Sequence, residues 1–323
     1  MSARGPIGAI LLLVLLGAGC AHQPHPDYPF QSAAVENVPF FPQTPYQCGP
    51  AALATVLSQS GAVVTPDELT EQVYLPGRRG SLQIELKSAA RAHGRIPFEI
   101  EPDLGVIVRE LEAGRPVLVL QNLAFAWAPR WHYAVVVGYD EHRQQIVLNS
   151  GAREGHRQSV ATFQRSWRLA DNWGIVVLEP GELAVEGSAS RYRRALVESA
   201  SALGESDYQL ALNAGLARWP KAPNLLFAAG NLALQQAEDQ RAAAFYKRAI
   251  EADPAHVGAL NNYAVVLQRN ACLDQAAVAA EAALEQAGST GLRDQVLSTA
   301  QEVSRLRETE APGVSEVCAV LGS

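Results

Sequence analysis

No run of lysine and arginine interrupts this sequence, and acidic residues outnumber basic ones 33 to 26, for a formal net charge of −7. Such a chain lacks the electrostatic footprint that phosphate backbones select, so nucleic acid is not expected as a partner. Cysteine is scarce, at Cys20, Cys48, Cys272 and Cys318. None sits in a CxxC or Cys-His arrangement with ligand spacing, so no metal site and no cofactor is expected. Long apolar runs are also missing. The longest, residues 7–16, contains Gly8 and is too short to span a bilayer as a mature helix. What is present is a chain of 323 residues, 48% hydrophobic, enough for two ordinary domains and their cores.

The apolar run reads as an export signal. Arg4 supplies a positive start, and Gly17-Ala18-Gly19-Cys20 follows the run. Small residues ending in cysteine resemble a lipobox, which implies lipidation of Cys20 and a chain anchored to a bacterial membrane through its N-terminus. The match departs at Gly17, where a branched residue is usual; Leu16 stands one place earlier. Ala21, rather than Asp, follows the cysteine, and this favours an outer membrane facing the periplasm where the cell has one. An exported compartment also permits Cys272 and Cys318 to form a disulfide.

The remaining chain divides by composition. Residues 21–35 are polar and Pro-rich and read as a tether. Residues 36–180 alternate short helical and strand patterns. Residues 181–190 read as a linker, residues 191–310 as helix only, and 311–323 as a tail. In the first domain the pattern predicts helices over 48–57, 82–93 and 106–113. Thr65-Pro66-Asp67-Glu68 predicts another by its capping box. Strands are predicted over 117–120, 133–139, 145–148 and 175–178. Helices first and antiparallel strands after give an α+β layer fold. Glu101, Asp103 and Glu110 read as a solvated face, and Trp127, Trp131, Trp167 and Trp173 mainly as packing residues.

The second domain carries a repeat. Pro220 and Pro254 are 34 residues apart, the tetratricopeptide period. With Pro254 in the repeat's proline position, Gly230, Ala242, Tyr246 and Ala249 fall where small, small, aromatic and small residues are needed for close helix approach. Leu260, Ala264, Ala276 and Ala283 take matching places in the next unit. The unit ending at Pro220 is degenerate, with Tyr208 where a small residue is preferred. Such repeats stack into a concave groove suited to a protein partner.

Chemistry concentrates around Cys48, in Gln43-Thr44-Pro45-Tyr46-Gln47-Cys48-Gly49-Pro50. A thiol in the first turn of a helix meets the positive end of the macrodipole and free N–H donors, both of which favour thiolate. Gln43 and Gln47 are each candidates to donate to an oxyanion beside the Cys48 N–H. Of the seven histidines, His22 and His25 lie in the tether, His256 in the repeats, and His93, His142 and His156 in polar or terminal positions. His132 alone opens an apolar strand, in Trp131-His132-Tyr133-Ala134-Val135, and is the best base. A four-residue loop at 140–143 would pair Tyr139 with Gln144 and His132 with Gly151. Asn149 then becomes the diagonal neighbour of His132 on the same face, about 7 Å away between Cα atoms, as an orienting partner.

Gln-x4-Cys-Gly-Pro-Ala-Ala-Leu, His-Tyr-Ala-Val-Val-Val-Gly-Tyr-Asp and Ile-Val-Leu-Asn-Ser-Gly together closely resemble the bacteriocin-processing peptidase-like domains, relatives of the double-glycine leader peptidases. The resemblance covers about residues 36–178. It implies a papain-like cysteine peptidase fold with Cys48 as nucleophile, His132 as base, Asn149 as orienter and a Gln before the cysteine, matching Gln43, as oxyanion donor. The family usually has Asp in the third position and one more residue between Gln and Cys, so the choice between Gln43 and Gln47 stays open. No transporter accompanies the domain here, so bacteriocin leaders are not implied as substrate. The function expected is a membrane-anchored cysteine peptidase acting on a peptide or protein, with repeats that recruit substrate or partner. The alternatives are a catalytically idle lipoprotein scaffold, or a transferase or amidase using the same triad.

Overall fold

A computed structural model describes residues 29–43, 46–288, 291–309 and 316–322. The expected signal segment, Cys20, most of the tether (residues 21–28) and part of the tail lie outside the described residues. Strand β1 (Ala33–Ala34) is followed by helices α1 (Cys48–Gln59), α2 (Pro66–Val73) and α3 (Gln83–Ala92), with a short 3-10 turn at Pro76–Arg78. Then come β2 (Ile96–Glu99), α4 (Leu104–Glu112), β3 (Val117–Asn122), β4 (Trp131–Asp140), β5 (Gln145–Ser150), β6 (Arg153–Ser159), α5 (Val160–Arg168) and β7 (Gly174–Leu178). The strands form one antiparallel sheet in the order β2-β7-β3-β4-β5-β6, with β1 paired to β4.

Strand alternation sorts the core into two layers. Leu118, Leu120, Tyr133, Val135, Ile175 and Val177 face α1, α2 and α3. Val117, Val119, Ala134, Val136, Ile146 and Leu148 face the opposite way, toward α4 and α5. Covered on both faces, β3 is buried throughout, which is why its sequence is a continuous apolar run rather than an alternation. Helix α1 is likewise buried from Gly49 to Leu57, as an apolar helix without a polar face must be. Its one buried hydroxyl, Thr55, returns a hydrogen bond to the Ala51 carbonyl at 3.0 Å. The capping box at α2 forms as its sequence predicts: Glu68 N–H donates to Thr65 Oγ1, and the Glu68 carboxylate accepts from the Thr65 N–H at 2.8 Å.

Four elements of this domain are not predicted from the sequence: the short strands β1 and β2, strand β6 and helix α5. Strand β6, Arg-Glu-Gly-His-Arg-Gln-Ser, is a polar edge strand, where charged side chains discourage pairing with other chains and hydrophobic alternation is not required. Helix α5 follows it directly, capped by Ser159. A further difference concerns Glu110, which is buried rather than solvated. Arg115 Nε lies 2.7 Å from its carboxylate and the Val185 N–H donates to it at 2.6 Å. Asp103 caps α4, and Glu101 pairs with Arg191 at 2.8 Å.

The chain continues as α6 (Ala189–Ser199), α7 (Glu205–Arg218), α8 (Pro223–Gln235), α9 (Asp239–Ala252), α10 (Val257–Arg269), α11 (Leu273–Ala287), α12 (Arg293–Thr309) and α13 (Glu316–Gly322). Helices α6/α7, α8/α9 and α10/α11 are the three repeat units at the predicted phase. The segment read as a linker is packed: α6 begins within it at Ala189, capped by Ser188, and Ala184 is buried. Tyr192, Ala195 and Leu196 of α6 join the same apolar cluster as Phe98 of β2, so the core runs without a break from the sheet into the repeats. Arg218 fastens the crossing by donating to the Ala184 and Val185 carbonyls, each at 2.6 Å. At the far end Cys272 and Cys318 form a disulfide.

Gly230 shows why the repeat needs small residues. A Cβ there would lie 2.4 Å from the ring of Tyr246, which is fully buried. Gly230→Ala is therefore expected to lower the thermal midpoint followed by far-UV circular dichroism. Overpacking costs about 1–3 kcal/mol, more than the ~1 kcal/mol gained from alanine's helix propensity. An unchanged or raised midpoint would refute the close approach.

Candidate active site

Cys48 opens α1, with Gln47 as N-cap. Gly49 is required beside it, because a Cβ at that position would lie 2.6 Å from the hydroxyl of Ser81. This close approach seats the 3-10 turn and the segment after it against the start of α1. Cys48, His132 and Gln43 all line one cleft of about 880 Å³, walled by Tyr46, Arg78, Ser81, Leu123, Trp131 and Tyr133 among others. Gln43 is held there through its backbone, whose N–H donates to the Gly151 carbonyl at 3.1 Å. Gln47 does not line the cleft. Trp131 does, while Trp127 stacks on Phe125 in the exposed β3–β4 loop and Trp167 and Trp173 pack inside.

The partner of His132 differs from the sequence expectation. The hairpin opens with Asp140 opposite Gln145 and Tyr139 opposite Ile146, not Gln144, and a β-bulge between Val136 and Gly138 then slips the register by one. A slip of one residue turns every subsequent side chain to the other face. Asn149 therefore lies opposite Val135 instead of sharing the face of His132, and its Oδ1 accepts from the Gly155 N–H at 3.1 Å. Ser150 takes the place intended for it: its Oγ lies 2.8 Å from His132 Nε2. That bond leaves Nδ1 as the ring nitrogen free to exchange a proton. Val137 sits in a run of three valines, so no residue type marks the bulge in advance. The unpaired, buried hydroxyl of Ser81 in the cleft wall likewise had no sequence signal.

Electrostatics oppose a resting ion pair. Burial pushes the Cys48 thiol above its ordinary value of 9.0, although backbone N–H groups of Tyr133, Gly49 and Cys48 itself pull the other way. The helix-terminus effect expected from sequence is thus present but smaller than desolvation. Burial, then the guanidiniums of Arg130 and Arg153, push His132 down to about 4. Both shifts run in the same sense, favouring the neutral thiol and neutral imidazole over the thiolate–imidazolium pair at rest. The cleft thus holds a neutral thiol and a neutral imidazole suited to act as base once an electrophile is bound. Among the described residues no cluster of histidine, cysteine, aspartate or glutamate is arranged to hold a metal ion.

The Peptidase_C39 like family model matches residues 35–174, and a tetratricopeptide repeat model matches residues 245–277. The N-terminal α/β region is thus a C39-like peptidase domain, followed by a helical region with tetratricopeptide repeat. No curated protein matches the chain. Among solved structures, a C39-like peptidase from Bacillus anthracis is 16% identical, with 46% of this chain and 98% of that chain covered and a TM-score of 0.39. The peptidase domain of Streptococcus ComA, a bifunctional ABC transporter, is 22% identical over 44% of this chain and 98% of that chain, with a TM-score of 0.35. A double-glycine-motif protease from an AMS/PCAT transporter, solved with a leader peptide, is 21% identical over 45% and 93%, with a TM-score of 0.35.

The His132 shift gives a test with a definite sign. A folded-state value near 4, below the ordinary 6.5, means folding favours the neutral ring. The stability it supports is complete above pH 6.5 and is lost as pH falls from 6.5 toward 4. The His132 ring protons should titrate near pH 4 by NMR. Removing a nearby positive charge, in Arg130→Ala or Arg153→Ala, should move that midpoint upward. A wild-type midpoint at or above 6.5 would contradict the burial.

Proposed function

From a C39-like peptidase domain whose cleft holds both a thiol and an imidazole, we propose that this protein is a cysteine peptidase that cleaves peptide or protein substrates. The observation that carries the reading is the shared cleft of Cys48 and His132, with Ser150 hydrogen-bonded to the imidazole Nε2. Cys48 Sγ attacks the scissile carbonyl carbon while His132 takes the thiol proton, so the thiolate exists only as the new bond forms. Gln43, which lines the cleft, is proposed to donate to the oxyanion from its side-chain amide, together with the Cys48 N–H. Collapse of the tetrahedral species breaks the C–N bond, and the proton on His132 passes to the leaving amine. Water, deprotonated by His132, then hydrolyses the thioester to a carboxylate and restores the thiol.

Ser150 is the proposed orienting residue in place of Asn149. A hydroxyl holds the ring by a neutral hydrogen bond, weaker than one from a carboxylate, and this accords with an imidazole that stays uncharged at rest. The repeats are proposed to recruit the substrate or a protein partner. Their inner surface, between Arg193 and Tyr208 of the first unit and Asn224 and Asn231 of the second, forms a cavity of about 550 Å³. Anchoring through lipid on Cys20 is proposed from the N-terminal sequence. The Cys272–Cys318 disulfide accords with an exported compartment, and no helix among the described residues is long and apolar enough to cross a membrane.

Comparing new protein N-termini in cells carrying wild-type protein or Cys48→Ser is the direct test. A set of N-termini lost in the variant is expected; identical sets would overturn the peptidase reading and leave the scaffold or the transferase or amidase. For the isolated cleavage, Ser150→Ala should reduce kcat/KM by about 10- to 100-fold through kcat, and Asn149→Ala by less; loss of the acid–base group itself, in His132→Ala, should cost about 10²–10⁴-fold. A larger effect at Asn149 than at Ser150 would reverse the assignment of the orienting residue. Incorporation of labelled palmitate should be lost in Cys20→Ala and kept in Cys48→Ala.

A further inference from the structure

In a chain of net charge −7, the cleft beside Cys48 is lined by three arginines, Arg78, Arg79 and Arg130, and by no aspartate or glutamate. Some arginines elsewhere are matched to carboxylate, as Arg91 is with Glu198, Arg115 with Glu110 and Arg191 with Glu101. The three cleft arginines form no such pair among the described residues. They come from two separate parts of the chain. Arg78 ends the 3-10 turn, Arg79 follows it with a left-handed backbone (φ 49°) that carries its guanidinium over the Tyr46 ring at 6.0 Å, and Arg130 ends the β3–β4 loop. A fourth, Arg153, stands opposite Ser150 across β5 and β6 and forms no ion pair among the described residues.

We propose that the cleft selects acidic polypeptide, namely a substrate segment with aspartate or glutamate side chains flanking the bond presented to Cys48 and paired with Arg78, Arg79 and Arg130. The scissile bond in this statement rests on the peptidase reading; the charge preference is a property of the cleft alone. Guanidiniums suit the task because they donate two parallel hydrogen bonds to a carboxylate, and a partly enclosed cleft of one sign concentrates the field. Among the described residues no carboxylate is paired with them that a substrate would have to displace. Binding also couples to chemistry. Arg130 and Arg153 help to hold the His132 ring uncharged, so substrate carboxylates that offset those charges make the imidazole a stronger base as the substrate seats.

Alkylation of Cys48 measures the preference without any turnover. Iodoacetate is an anion and iodoacetamide is neutral, so their rate ratio at Cys48 in the full chain, read by mass spectrometry of the Cys48 peptide, reports the cleft potential. At low salt the ratio should exceed that of N-acetylcysteine in the same buffer by about tenfold or more and shrink as salt is added. Arg78→Glu combined with Arg130→Glu should push it below the N-acetylcysteine ratio, while Arg168→Glu, at the exposed end of α5, should leave it as in wild type. A low-salt ratio equal to that of N-acetylcysteine would overturn the proposal. So would equal binding of a fluorescent glutamate-rich peptide and its lysine-rich counterpart to Cys48→Ala protein. If the acidic peptide binds and iodoacetate is preferred but no peptide is cut, the peptidase reading fails and this inference stands. If peptides are cut without regard to charge, the reverse holds.

Discussion

Burial of α1 against β3 and β4 is the constraint on which the site depends. The helix is apolar along nearly its whole length because it lies between the sheet and helices α2 and α3, with Leu53, Val56 and Leu57 against Leu118, Leu120 and Val135. That packing fixes where the first turn of α1 ends up, and so places Cys48 in the cleft that the start of β4 enters. It also sets the chemistry. The desolvation that makes α1 a good core helix disfavours charge at its end, and the free N–H groups of the first turn offset this only in part. A thiol placed by a buried helix is therefore held neutral until something reacts with it. The same holds for His132, at the mouth of a strand that runs immediately into the core.

How much of this could be read from residues alone follows from the range of the interactions involved. Cys48 in the first turn of a helix, His132 at the head of an apolar strand and the capping box at Thr65 are local patterns, and the observed elements begin where those patterns place them. The tetratricopeptide phase was legible for a similar reason: a 34-residue period is carried by steric needs, and Gly230 under the Tyr246 ring is one of them. The partner of His132 was not legible. It depends on one extra residue in β4, and Val135, Val136 and Val137 are chemically the same, so pairing alone decides which of them is bulged. Once the bulge is formed, Asn149 and Ser150 exchange faces, and the amide expected beside the imidazole turns instead to Gly155. Strand β6 escaped notice because an exposed edge strand has no need of the alternation by which strands are recognised.

The cleft charge was invisible for another reason. The adjacent pair Arg78 and Arg79 lies far along the chain from Arg130 and Arg153, and no window of sequence contains all of them. Folding brings them around one opening, although acidic residues outnumber basic ones over the chain as a whole. Net charge is a property of the whole surface, whereas selection by a cleft depends on the few groups that face the ligand.

The two domains are joined more closely than their compositions suggest. Exposed ion pairs such as Arg191–Glu101 contribute little by themselves, because solvent screens them and two long side chains must be ordered to form them. The coupling rests instead on apolar continuity: Tyr192 and Leu196 of the first repeat helix are buried in the cluster that contains Phe98 and Ile100 of the peptidase domain. Moving the repeats as a body would expose that surface, at roughly 25 cal/mol for each Å² of apolar area. The Glu110–Arg115 pair would lose a partner as well, since the Val185 N–H, on the crossing segment, satisfies the same buried carboxylate. A protein or peptide held by the repeats is thus presented to the cleft in one fixed relation. On the proposed reading, substrate choice would be divided between two surfaces, with the repeats selecting the partner and the arginine-lined cleft selecting the segment of it that reaches Cys48.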